Sequence, residues 1–140
     1  MGRSELREHI FKMLFRIEFN IKDDMPEQMS LYLDYLRNKK EENEEEIKEE
    51  DMMYIQEKYM AVMERLEEID GLLNEYTTGW TTGRMNKVDL TILRLGVYEM
   101  RWDDTIPIGV AINEAVELSK KYSSDDGPSF VNGVLAKLIN

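Results

Sequence analysis

The chain is poor in the side chains that carry out covalent chemistry. Its 140 residues include one histidine and no cysteine. That removes thiol nucleophiles, disulfides and thiolate metal sites. His9 has Glu5 and Glu8 close by in a helical stretch and reads as a surface histidine rather than a general base. The 29 acidic residues are so numerous that carboxylate spacing carries no information about paired acid–base catalysis. Asp-Asp occurs at 23–24, 103–104 and 125–126 without the frame of a calcium loop. No Gly-x-Ser-x-Gly, Walker or dinucleotide glycine motif is present. No catalytic residue, metal site or cofactor is expected.

A different chemistry is suggested by Arg3, Arg7, Phe11, Phe15 and Phe19, which recur every four residues, with Lys12 and Arg16 as a second basic row. Guanidinium groups meet phosphates and aromatic faces stack on unpaired bases, at about 1–3 kcal/mol per base. The same spacing also fits phenylalanines that widen a buried helix face, and periodicity leaves both readings open. The formal net charge of −11 weighs against nucleic acid until its distribution is considered. Residues 1–20 hold four bases and three acids, and residues 84–140 hold seven bases and eight acids. The excess lies between them, above all in "KKEENEEEIKEED" at 39–51, with eight acids and three lysines. That run reads as a solvated connection or a highly charged helix start, with an acidic lure for a basic partner as the alternative.

The elements that carry these residues read as helices throughout. Leu6, Ile10, Met13, Leu14 and Ile17 form one stripe, predicting a helix over about 3–21. "DDMPEQ" opens a second, with Asp24 able to cap, Pro26 in the first turn and Glu27 at capping-box spacing. Met29, Leu33 and Leu36 are among its apolar residues. Ile55, Tyr59, Val62, Leu66, Ile69, Leu73 and Tyr76 alternate spacings of four and three, predicting one long helix. "TTGWTTGRMN" breaks it. Further helices are expected over about 86–101 and 106–122, the latter with Ile108, Ala111, Ile112, Ala115, Ser119 and Tyr122 inward. In "DDGPSFVNGVLAKL" the Asn-Gly pair imitates a hairpin turn. However, Val131, Val134, Leu135 and Leu138 keep helical spacing, and Pro128 suits a first turn. Gly133 inside that helix predicts close approach of another backbone or a ligand. No apolar run approaches the ~20 residues of a membrane span, and the absence of cysteine fits a reducing cytoplasm. The fold class is all-α.

Three blocks, "GWTTGRMNKVDLTILRLGVYEM", "IPIGVAINEAVELSKKY" and "SFVNGVLAKL", together resemble the NusB family of transcription antitermination factors. "RSELREHIFKMLFRIEF" is similar to that family's first helix. The resemblance implies two packed three-helix sub-bundles, here about 1–76 and 77–140, and no enzymatic activity. It implies pairing with the small-subunit ribosomal protein NusE and binding of single-stranded boxA RNA in nascent ribosomal transcripts, within a transcription elongation complex. By position, Arg3, Arg7, Phe15, Asp126, Ser129 and Phe130 would face RNA, Asp126 as a helix cap or a repulsive tuner. The opening of the first helix and the start of the last would then serve one surface for unpaired RNA. Asn132 and Gly133 would serve the contact between sub-bundles, and Asp89 would belong to the NusE-facing surface. Ser4 and Glu5 interrupt the arginine cluster usual in relatives, implying weaker phosphate binding. A detached RNA-targeting module of a ribosomal RNA methyltransferase, and a purely structural helical adaptor, are the alternatives. Full burial of Phe15 and Phe130 would favour the adaptor.

Overall fold

Amphipathic periods of three and four set the architecture, and no β-strand occurs among the described residues. The computed structural model describes residues 1–20, 22–38, 47–77, 79 and 81–139. Ile21, Thr78, Trp80, Asn140 and residues 39–46 of the acidic run lie outside the described residues. The helices are α1 (Arg3–Phe15), α2 (Met25–Asn38), α3 (Glu49–Glu64), α4 (Leu66–Tyr76), α5 (Lys87–Trp102), α6 (Ile108–Tyr122) and α7 (Gly127–Lys137). They group into two compact units, Met1–Ala61 and Val62–Asn140.

In the first unit, α1 buries Leu6, Ile10, Phe11, Met13 and Leu14, and α2 buries Met25, Tyr32, Leu33 and Leu36. The imidazole Nδ1 of His9 lies 2.7 Å from the Tyr32 hydroxyl. The lone histidine is therefore half-buried and helps to join α1 to α2, where a surface residue was expected. The Tyr59 hydroxyl of α3 donates to the Met25 carbonyl at 3.3 Å, tying α3 to the start of α2.

In the second unit α5 is the central helix and packs against α4, α6 and α7. Leu90, Ile92, Leu93, Leu95 and Val97 are all buried, the pattern of a helix enclosed on most sides. Asn86 caps it, its Oδ1 accepting from the Val88 and Asp89 amides at 2.9 and 3.3 Å. Gly96 lets two neighbours in: a Cβ there would lie 3.0 Å from Leu135 Cδ1 on α7 and 3.6 Å from Ala115 Cβ on α6. Arg94 grips Asp70 of α4 through two hydrogen bonds of 2.9 Å.

Several boundaries differ from the sequence-based expectation. The first helix ends at Phe15 and continues as a 3-10 turn over Arg16–Glu18. There the Arg16 carbonyl accepts from Phe19 N–H at 3.0 Å and from the Asn20 side chain at 2.9 Å. A side-chain donor competing for helix carbonyls favours such an ending. The long helix over 55–76 is two helices, broken at Arg65 (φ −104°, ψ 12°). Arg65 N–H bonds Val62 O at 3.1 Å, a tightened turn. Ile55, Tyr59, Val62, Ile69 and Leu73 stay buried on both sides of it, so periodicity does not register the break. The division between units falls after Ala61, not near residue 76. Residues 62–76 group with the second unit because α4 is clamped to α5 by Arg94–Asp70 and also packs on α7. That unit therefore holds four helices rather than three.

On α6 the small residues Ala111, Ala115 and Ser119 are buried, whereas first-turn Ile108 is 43% exposed and does not join the inner stripe. A row of small residues at spacing four carries the close packing there, and the bulky Ile108 precedes it. Gly133 is exposed, and a Cβ on it would meet nothing within 4 Å. The close approach predicted at Gly133 is not found. Close approach occurs at Gly96 and Gly127 instead.

Candidate nucleic-acid interface

Residues spaced by four advance about 40° round a helix at each step, so the basic and aromatic ridge of α1 crosses the core. Arg3 is exposed, with its guanidinium 4.6 Å from the centre of the Tyr54 ring. Lys58 lies over the same ring at 5.2 Å. Arg7 is only 5% exposed and Phe11 is buried. Phe15 is half-buried, and Phe19, just beyond the helix, is 74% exposed. The three rings touch in series: Phe11 and Phe15 stack with centroids 6.2 Å apart, and Phe15 meets Phe19 edge-on at 5.3 Å. Arg7 therefore does not lie on the cationic surface where the resemblance placed it, because its step of the ridge faces the core. The exposed cation of the second row is Lys12, 3.8 Å from Glu8. Arg16 is half-buried, donating to Gln28 Oε1 at 3.1 Å and lying 5.0 Å from the Tyr32 ring centre.

Burial pushes the Tyr32 and Tyr59 hydroxyls up to about 12, against the opposing pull of the Arg16 cation. Both phenols stay neutral and structural near neutral pH.

At the other candidate segment, Asp126 holds the N-cap position of α7, Pro128 sits in the first turn, Ser129 is exposed and Phe130 is half-buried. The Asp126 side chain makes no capping hydrogen bond. Its backbone is helical (φ −84°, ψ −14°), and a cap needs an extended residue to fold its carboxylate back over the first amides. The capping role expected for Asp126 is thus not realised, and an exposed negative charge remains. The helix end also offers few free amides to an anion. Gly127 N–H already bonds Ser124 O at 2.9 Å, and proline has no N–H.

Asp89 is 7% exposed and accepts a 2.6 Å hydrogen bond from Ser123 Oγ. Its carboxylate faces the inside of its own unit, which does not suit the partner-facing role the resemblance gave it. Sequence reasoning also missed Gly127. It is buried, and a Cβ on it would lie 2.8 Å from Ser119 Oγ and 2.6 Å from Ser123 Cβ. Its place before Pro128 signals a breaker and conceals a packing contact. Among the described residues no cluster of three or more His, Cys, Asp or Glu could hold a metal ion. Nor is any helix among them long and apolar enough to cross a membrane.

These features define an all-α protein that exposes Arg3, Lys12 and Ser129 and leaves Phe15 and Phe130 half-buried near helix ends. The chain belongs to the NusB family, whose model matches residues 4–140. It is 52% identical over 137 residues to the transcription antitermination protein NusB of Agathobacter rectalis, covering 98% of each chain. Among solved structures, T. maritima NusB is similar with a TM-score of 0.84 at 29% identity, over 99% of this chain and 90% of that one. A chain from the crystal structure of antitermination factors NusB and NusE in complex with dsRNA shares the fold. Its TM-score is 0.77 at 24% identity, over 96% of this chain and 92% of that one.

Proposed function

We propose that this protein is a cytoplasmic, non-enzymatic transcription antitermination factor. It pairs with the ribosomal protein NusE, and the pair binds single-stranded boxA RNA of nascent ribosomal transcripts in the elongation complex. The observation that carries this reading is membership of the NusB family across residues 4–140. The role is supported by the 52% and 46% identical relatives, both transcription antitermination proteins NusB.

The mechanism is binding. Arg3 contacts phosphate, with Lys12 as a further exposed cation. Phe15 and Phe130 offer ring edges and faces to unpaired bases, and Ser129 adds a hydroxyl. Asp126, exposed and negative, repels the RNA backbone and so tunes affinity rather than adding to it. Arg7, being buried, supports the helix that presents Arg3 and Phe15 and makes no direct contact. Full burial of both rings would favour the adaptor reading, and neither ring is fully buried. The methyltransferase-module reading is disfavoured by a 52% identical relative that is itself a transcription antitermination protein.

The test is an RNA titration at fixed salt with NusE present. Phe130→Ala is expected to weaken boxA binding about tenfold, the worth of one stacked base, with the circular dichroism melt still cooperative. Equal affinity of the wild-type pair for boxA and for a scrambled RNA sinks the reading.

A further inference from the structure

We propose that Asp89 is a positioning residue for RNA recognition: its hydrogen bond to Ser123 fixes the turn that carries Ser129 and Phe130. This inference rests on the RNA-binding reading above. Asp89 lies in the first turn of α5, where the Asn86 cap accepts its amide at 3.3 Å and the helix dipole favours a negative charge. Its buried carboxylate accepts from Ser123 Oγ at 2.6 Å, a short charge-assisted bond. Ser123 is the C-cap of α6, with extended backbone (φ −102°, ψ 177°) and its N–H on the Ser119 carbonyl at 2.9 Å. Residues 123–126 are all that separates α6 from α7.

The other end of that turn closes on the same side chain. Gly127 N–H bonds Ser124 O at 2.9 Å. The Gly127 α-carbon sits so tightly on Ser123 and Ser119 that no β-carbon fits. Asp89 therefore holds Ser123, and Ser123 seats the first residue of α7. Ser129 and Phe130 follow two and three residues later in the same helix, so their positions follow that seat. A buried carboxylate is costly unless hydrogen-bonded. Its presence beside a turn is accounted for by the placement it enforces.

The test uses the full chain with NusE and compares Asp89→Ala, Ser123→Ala and their combination for RNA affinity, NusE affinity and thermal midpoint. Each single change is expected to weaken boxA binding about fivefold, the worth of one net hydrogen bond, while pairing with NusE is unchanged. The combination should be no weaker than either single change, because both remove the same link. Ser123→Thr, which keeps the hydroxyl donor, should recover wild-type affinity. Should Asp89→Ala fail to fold, Asp89→Leu, similar in shape and unable to accept from Ser123, takes its place in the cycle. A folded Ser123→Ala protein with wild-type RNA affinity, or losses that simply add, overturns the proposal. So does loss of NusE pairing with RNA binding intact, which returns Asp89 to the partner surface. If Phe130→Ala also leaves RNA binding untouched, the functional reading itself fails. If Phe130→Ala loses affinity and Ser123→Ala does not, only the positioning role fails.

Discussion

Arg3 and Arg7 stand one helical turn apart and have opposite fates. Arg3 is exposed over Tyr54, whereas Arg7 is buried. A charge-reversing change at the two positions therefore separates function from folding. Arg3→Glu should leave the thermal midpoint within a few degrees of wild type and weaken RNA binding. Arg7→Glu should lower unfolding free energy by about 3–5 kcal/mol, the cost of placing an uncompensated charge in a buried position. Denaturant titration of both variants checks this, and a wild-type midpoint for Arg7→Glu refutes the enclosed placement. The residue types of the candidate interface can be listed from the sequence. Their exposure cannot be, since a repeat of four drifts round a helix of 3.6 residues per turn and the sequence does not mark where it enters the core.

Among the helices, α7 gives the sharpest contrast. Gly133 is exposed in mid-helix with free space around its missing Cβ, whereas Gly127 is the crowded first residue. Gly133→Ala should stabilise the protein by about 0.5–1 kcal/mol through lower backbone entropy cost. Gly127→Ala should destabilise it, because Ser119 and Ser123 must move. Chemical denaturation of the two variants should give midpoints on opposite sides of wild type. Helix positions were legible from apolar spacing: α5 and α6 lie within about two residues of their expected starts. The break at Arg65 was not, because a single 3-10 turn preserves the apolar stripe and needs neither glycine nor proline. The grouping of α4 with α5 was equally invisible, since it rests on Arg94 meeting Asp70, 24 residues away.

For the molecule as a whole, charge and protonation set the conditions of use. A chain of net charge −11 that meets RNA through few cations should show a shallow salt dependence. Two phosphate contacts, from Arg3 and Lys12, correspond to a slope of about −1.4 in log affinity against log salt for a single strand. Arg3→Ala should reduce that slope by about 0.7, and a titration across salt concentrations reads both. Alkaline stability follows from the buried phenols. Tyr32 and Tyr59 shift from 10.0 when free to about 12 when folded. Between those values the unfolded chain releases protons that the native state retains, so stability is full below pH 10 and falls as pH rises toward 12. Tyr59→Phe should flatten that decline in urea-midpoint measurements, at the expense of the bond to the Met25 carbonyl.

Local sequence was sufficient for an all-helical chain, for the order of most of its helices and for the family, because those depend on spacing along the backbone and on contiguous motifs. It was insufficient for the roles of Arg7, Asp126 and Asp89. Whether a guanidinium is enclosed, a carboxylate caps a helix or an aspartate turns inward to a serine 34 residues away depends on which groups folding brings alongside it. Burial and hydrogen bonding across long sequence separations are properties of the packed chain, and no local pattern encodes them.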